Sequence, residues 1–207
     1  MSTVQEQPVA ISPSTDLAEQ SPYLVTSEAF CKMLEAEVFA DEDRVELWDG
    51  RIYEKMAKTQ AHAIAGNKVN LTLVRVLPAG WFPGNENPIK LAEKRVPLPD
   101  LVVLRGDPDD YGRPPEPGDI GLIVEFSLTS LKHDTKVKLA AYAQAGVPAY
   151  WVLNLVDNLV QVFERPVTAE RRYESSQVFA VGQSVPLRLD GVLVAEIPAA
   201  DLLPRLA

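Results

Sequence analysis

The sequence has few of the residues that build several common kinds of site. A single cysteine, Cys31, among 207 residues excludes a disulfide framework within the chain. It suits a reducing compartment, and we therefore expect a cytoplasmic protein. The two histidines, His62 and His133, do not form a zinc pattern, and the chain has neither a glycine-rich phosphate loop nor a G-x-S-x-G motif. Without a basic, apolar leader or an apolar run near about 18 residues, we expect a soluble protein that does not contact a membrane.

The chain also lacks an excess of basic residues. Its net charge is −9, which argues against tight nonspecific binding to DNA because phosphate binding needs positive surface. The imbalance lies within residues 1–50, which hold 11 Asp or Glu but only Lys32 and Arg44 as basic residues. The other residues hold 18 basic and 18 acidic side chains. The charge therefore lowers the expectation of DNA binding without excluding it.

The apolar pattern predicts one domain behind a polar arm. Residues 1–22 have no apolar period, which predicts a disordered N-terminal arm. Residues 23–207 predict a single domain, since 46% of the chain is hydrophobic and can form a substantial core. Thr26 is suited to cap a short helix. The segment RVELWDGRIYEKM predicts a hairpin that turns at Asp49-Gly50.

Strand and helix patterns follow the hairpin. The helical spacing of Ile64, Leu71 and Val74 predicts an amphipathic helix from Gln60 to Leu77. The segments NPIKLA, PDLVVLR and IGLIVEF predict strands, and a helix is expected from Asp134 to about Ala145. AYWVLN, NLVQVFER and RRYESSQVFA predict further strands. The expected fold class is α/β (α+β), with a mixed central sheet flanked by helices and an N-terminal hairpin.

Two carboxylates stand where strands rarely tolerate them. Asp100 opens the strand PDLVVL, and Glu125 lies within the apolar run LIVEF. A carboxylate buried in a strand needs a hydrogen-bond partner, a cation or a proton. Asp100 could instead be a turn residue after Pro99, and Glu125 a strand-end residue that faces solvent. If the two strands are adjacent, the pair forms a site for a hard cation such as Mg²⁺ or Mn²⁺.

A lysine is expected on the helix that follows. Asp134 and Lys138 are four residues apart, so they share a helical face that Tyr142 continues. A lysine among alanines and a tyrosine should lie partly against the sheet. The alternative is a surface Asp-Lys pair, which contributes little to stability. Lys136 lies on the other side of the same helix.

Several short motifs, taken together, resemble a known family. PDLVVLR, VEFSLTSLKHD and KLAAYAQAGVPAYWVLN look like the Uma (Uma-two) family of endonucleases, which belongs to the PD-(D/E)XK superfamily of restriction-endonuclease-like folds. The resemblance covers residues 45–164. It implies that the lysine of the usual E-x-K motif has moved from the strand to the next helix, in the pattern D-x-x-x-K-x-x-x-Y. Asp134, Lys138 and Tyr142 match that pattern, and Ser127 stands where the strand lysine would be.

The resemblance also implies roles for individual residues. Asp100 and Glu125 are expected to bind Mg²⁺ or Mn²⁺, and Lys138 is expected to be the catalytic lysine. VELWDGRI resembles the family's E-L-x-x-G segment, which makes Glu46 a further acidic candidate, although an exposed hairpin glutamate fits equally well. His62 matches a histidine found after that hairpin, where a role in starting the helix or in packing is the alternative to chemistry.

The function expected from the resemblance is metal-dependent hydrolysis of phosphodiester bonds in DNA, by a homodimeric endonuclease. A noncatalytic nuclease-fold protein that binds nucleic acid or a protein partner is the main alternative, and the acidic first fifty residues favour it. A metal-dependent hydrolase of another phosphate or acidic substrate would use the same carboxylates.

Overall fold

A computed structural model describes residues 21–40, 43–55 and 58–205. The predicted arm therefore lies outside the described residues, apart from Ser21 and Pro22. In the described ranges the helices are α1 (Ser27–Glu35), α2 (Gln60–Val76), α3 (Leu131–His133), α4 (Leu139–Ala145) and α5 (Ala199–Leu202), with a π-helical turn (Asp134–Lys138) between α3 and α4. The strands are β1 (Val45–Trp48), β2 (Arg51–Glu54), β3 (Trp81–Asn85), β4 (Leu101–Arg105), β5 (Ile120–Ser127), β6 (Ala149–Asn154), β7 (Leu159–Val167), β8 (Arg172–Ala180), β9 (Ser184–Leu189) and β10 (Val192–Pro198). None of the helices in these ranges has the length and apolar character needed to cross a membrane.

Six strands form the central sheet in the order β3-β4-β5-β6-β7-β8. All neighbours are antiparallel except β5 and β6, which are parallel. A parallel pair needs a crossover connection, and the helical segment from α3 to α4 supplies it. The predicted α+β fold with a mixed central sheet and flanking helices is confirmed.

The two faces of the sheet bury different partners. On one face, Val124 and Phe126 of β5 pack with α2, α5 and the β9–β10 hairpin. On the other face, Ile123 of β5 packs with Tyr142 of α4. Because side chains alternate along a strand, Glu125 shares the α4 face with Ile123. This alternation directs the buried glutamate toward the crossover helix.

The N-terminal hairpin follows its turn residues. Asp49 and Gly50 both have positive φ, 48° and 80°, as a type I′ turn requires. Thr26 caps α1, since its hydroxyl accepts a hydrogen bond from the Ala29 amide at 3.2 Å. The hairpin joins the rest of the domain through a bridge between Leu47 and Val96.

One predicted strand is wrong. The segment NPIKLA does not form a regular strand: the amides of Ile89 and Leu91 donate to the carbonyls of Pro97 and Arg95. The strand beside β4 is instead β3, which precedes that segment. These hydrogen bonds pair the NPIKLA segment with residues 95–97, and β3 pairs with the edge of β4 in its place.

The buried face of α2 also differs from the expectation. Ile64, Leu71 and Val74, which were expected to face the core, are 40%, 56% and 60% exposed. The buried residues of α2 are instead Ala65, Val69 and Leu73. The helix runs close to β5, because a Cβ atom added at Gly66 would lie 3.4 Å from the Phe126 ring. This side of α2 is therefore in van der Waals contact with the sheet.

Gly121 tests how tightly β5 is packed. It is the extra residue in a bulge where β4 pairs Val103 with Leu122 and Leu104 with Ile120. A Cβ atom at Gly121 would lie 2.5 Å from the Trp81 ring. We expect Gly121→Ala to lower the free energy of unfolding by about 1–3 kcal/mol through overpacking, measured by urea denaturation.

The matched control for this substitution is Gly118→Ala. An added Cβ atom there has no neighbour within 4 Å, so the change should stay within about 0.5 kcal/mol. Equal stability of the two variants would contradict the close packing at Gly121.

Candidate active site

The register between β4 and β5 places two carboxylates side by side. Leu101 pairs with Val124 in an antiparallel ladder, so Asp100, one residue before Leu101, lies beside Glu125, one residue after Val124. Asp100 is only 6% exposed, and its Oδ2 accepts a hydrogen bond of 2.8 Å from the amide of Phe126. This bond fixes the Asp100 carboxylate against the backbone of β5. Asp100 does lie in a bend at the entrance of β4, but its side chain is buried, and the Glu125 side chain does not face solvent.

Glu125 is held by two donors from the crossover helix. It is 2% exposed, and its Oε1 accepts hydrogen bonds of 2.9 Å from both Lys138 Nζ and Tyr142 OH. Burial raises the pKa of Glu125 to about 7, although the nearby Lys138 and Lys55 act to lower it. A buried carboxylate with so many donors is held in one orientation.

Lys138 is buried with Glu125 rather than displayed on the surface. Its side chain is 6% exposed, and Nζ lies 3.6 Å from Asp134 Oδ1. Burial alone would lower the pKa of Lys138, but the carboxylates of Glu125, Glu46 and Asp134 outweigh this effect and raise it. Lys138 is therefore an ammonium within a cluster of carboxylates. The alternative of a surface Asp-Lys pair does not describe this geometry.

Two serines hold Asp134 in place. Its Oδ2 accepts hydrogen bonds from the hydroxyls of Ser127 and Ser130, at 2.6 Å and 2.5 Å. Ser127 is fully buried and two residues after Glu125 on β5, so both side chains point to the same face. The position expected for a strand lysine thus carries a hydroxyl that orients the first residue of the D-x-x-x-K-x-x-x-Y pattern.

Sequence reasoning missed one residue of this cluster, Lys55, which directly follows β2. Its Nζ lies 2.7 Å from Asp100 Oδ1, 2.7 Å from the Leu98 carbonyl oxygen and 3.8 Å from Glu125 Oε2. Burial raises the pKa of Asp100, but Lys55 and the Phe126 amide more than compensate, so the pKa is lowered. Lys55 stands at the end of a hairpin whose second strand is largely exposed, and no pattern in the sequence marks it.

The remaining candidates border the same cavity. Glu46 is 7% exposed, and its Oε2 accepts a hydrogen bond of 3.4 Å from the Leu98 amide. His62 lies in the first turn of α2, where its Nδ1 is 2.8 Å from the hydroxyl of Thr59, the residue that caps that helix. Both residues line a cavity of about 460 Å³ together with Asp100, Glu125, Asp134 and Lys138. Tyr142 lies behind Glu125 and is fully buried.

The oxygen atoms of this cluster suit a hard divalent cation. Asp100, Glu125 and the Leu98 carbonyl supply oxygen ligands of the kind that Mg²⁺ and Mn²⁺ prefer, and the ammonium of Lys55 lies among them. Over the described parts of the chain, no three His, Cys, Asp or Glu side chains group into a metal-binding arrangement. Two carboxylates are nevertheless enough for Mg²⁺, which usually keeps several waters.

The fold is similar to that of a solved structure. A similar solved structure is the crystal structure of "a putative nuclease belonging to DUF820" from Anabaena variabilis ATCC 29413, with a TM-score of 0.63 and 16% sequence identity. The match covers 86% of this chain and 97% of that chain.

The family follows from the sequence itself. The family model Uma2, described as "Putative restriction endonuclease", matches residues 27–195. The chain belongs to this family, which confirms the resemblance seen in its motifs. A comparison with curated proteins finds no match.

The Glu125 cluster makes a prediction about stability. Tyr142→Phe removes one donor to a buried carboxylate, so it should lower the free energy of unfolding by about 1.5–3 kcal/mol. The measurement is urea denaturation with a chelator at pH 8, above the pKa of about 7 for Glu125.

Tyr150→Phe is the control. Tyr150 is also fully buried, but its hydroxyl donates to the uncharged backbone carbonyl of Asp134 at 3.1 Å. The loss in the free energy of unfolding should therefore be only about 0.5–1.5 kcal/mol. Equal costs would show that Tyr142 does not bond to an ionised Glu125.

Proposed function

We propose that the chain is a divalent-metal-dependent endonuclease that hydrolyses phosphodiester bonds in DNA. The observation that carries this proposal is the contact between Lys138 Nζ and Glu125 Oε1 at 2.9 Å, beside Asp100. The two carboxylates and the lysine come from a strand entrance, a central strand and the next helix. They border one cavity of about 460 Å³. Membership of a family described as "Putative restriction endonuclease" supports the same reaction class.

Asp100 and Glu125 are the residues that would hold Mg²⁺ or Mn²⁺. Such an ion, when bound, polarises a phosphoryl oxygen and lowers the pKa of a bound water. The fixed orientation of both carboxylates supports this role. The Phe126 amide holds Asp100, while Lys138 and Tyr142 hold Glu125.

Lys138 is the proposed catalytic lysine. Its ammonium donates a hydrogen bond to Glu125 Oε1, and Asp134 Oδ1 lies 3.6 Å from Nζ. Because Lys138 also lines the cavity, its positive charge stabilises negative charge that develops on the phosphate. It can also orient the attacking water. Tyr142 acts at a distance from the phosphate by holding Glu125, and Ser127 acts by orienting Asp134.

The lining of the cavity suits a phosphodiester despite the acidic composition of the chain. Arg44 and Lys58 line it together with Lys55 and Lys138. Lys58 is 41% exposed, so it can meet a backbone phosphate without full desolvation. Glu46 and His62 are proposed as further residues around the substrate. Action as a homodimer in the cytoplasm remains a prediction from the resemblance and from the cysteine content.

The proposed role of Lys138 predicts a separation of binding from catalysis. Lys138→Met should reduce Mn²⁺-dependent nicking of plasmid DNA by about a hundredfold or more, because a positioned charge on the phosphate is lost. The same variant should still bind Mn²⁺ in calorimetry, because lysine is not a metal ligand. Glu125→Gln should lose both properties.

Lys136→Met is the matched control, because Lys136 is exposed on the same π-helical turn. It should keep both nicking and metal binding. Full nicking activity of a folded Lys138→Met variant would end the proposed mechanism. Metal binding without nicking by the wild type would favour the noncatalytic DNA-binding alternative.

A further inference from the structure

The ammonium of Lys55 lies among the oxygens that would ligate the metal ion. Its contacts come from two segments: Leu98 and Asp100 before β4, and Glu125 on β5. Carboxylate and carbonyl oxygens that converge in this way are ligands for a hard cation. An ammonium with three N–H donors can satisfy the same oxygens.

Each carboxylate turns one oxygen toward Lys55. Asp100 Oδ2 accepts from the Phe126 amide, which leaves Oδ1, and Oδ1 is the atom that contacts Lys55. Glu125 Oε1 accepts from Lys138 and Tyr142, which leaves Oε2, and Oε2 is the atom nearer to Lys55. A divalent cation and the Lys55 ammonium would therefore need the same two oxygens.

We propose that Lys55 is a tethered cation that competes with the divalent metal ion for Asp100 and Glu125, and that it thereby weakens and sets the metal affinity of the site. This inference rests on the proposed function, which assigns the metal to those two carboxylates. In the metal-free protein, Lys55 neutralises part of the buried negative charge of Asp100 and Glu125. When a metal ion binds, the ammonium leaves its oxygens.

The displaced ammonium of Lys55 can move into the adjacent cavity. The Lys55 side chain is 13% exposed and borders the cavity of about 460 Å³. Its four-carbon stem is flexible, so the ammonium can turn into the cavity without movement of the backbone. Lys55 is thus a positioning residue for the metal site.

The test is calorimetric titration of Mn²⁺ into metal-free protein at pH 8, with the wild type and Lys55→Met. Removal of a competing unit charge in contact with both ligands should tighten Mn²⁺ binding by about tenfold or more. Lys55→Gln, which also lacks the charge, should show a change in the same direction.

Lys58→Met is the control for the general effect of one positive charge in the cavity. Lys58 lines the same cavity, but its Nζ pairs with Glu86 at 2.7 Å rather than with the metal ligands. Its substitution should change the affinity by less than about threefold, because a more distant and more exposed charge is screened.

Three results would overturn the inference: unchanged or weaker Mn²⁺ binding by folded Lys55 variants, equal tightening by Lys58→Met, or failure of both Lys55 variants to fold. If the wild type binds Mn²⁺ and nicks DNA but the Lys55 variants bind no more tightly, the inference fails and the proposed function stands. If the wild type neither binds Mn²⁺ nor nicks DNA, both fail.

Discussion

The burial of the Glu125 carboxylate inside an apolar strand is the constraint on which the site depends. A carboxylate at 2% exposure is unfavourable unless cations and donors surround it. β5 is flanked on both sides by other strands, so the partners must come from above the sheet and from its end. The crossover helix supplies Lys138 and Tyr142, and the residue after the N-terminal hairpin supplies Lys55. The fold thus brings two separate segments to one buried charge.

A π-helical turn lies within the crossover helix and brings its three polar side chains closer to one line. In a regular α-helix, residues four apart drift by about 40° around the axis at each step, because a turn holds 3.6 residues. Asp134, Lys138 and Tyr142 would then spread over about 80°. The turn over Asp134–Lys138 has wider i→i+5 bonding and reduces that drift. All three side chains are accordingly buried, at 2%, 5% and 0% exposure.

The sequence could predict those residues of the site that are charged but stand within an apolar strand or helix face. Glu125 interrupts an apolar run, and Lys138 lies on an alanine-rich helix face, so each was visible as an exception. Lys55 does not interrupt an apolar pattern, because it follows an exposed strand. Only the tertiary fold brings it to Asp100. The same limit applies to α2, which has apolar residues on two faces. The choice of Ala65, Val69 and Leu73 depends on how close the helix lies to β5.

The charges around the cavity explain why an acidic chain can still suit a phosphate substrate. Glu46, Asp100, Glu125 and Asp134 face the ammonium groups of Lys55 and Lys138. When all are ionised, the cluster has an excess of two negative charges, which is the charge that one divalent cation would neutralise. Burial of this excess is unfavourable, and the raised pKa of Glu125 has burial as its main cause, with Asp100 and Asp134 adding to it. The negative charge of this cluster is therefore located where a metal ion would balance it, whereas the excess of acidic residues in the sequence lies within residues 1–50. Arg44 and Lys58, which both pair with Glu86, add positive charge to the lining of the cavity.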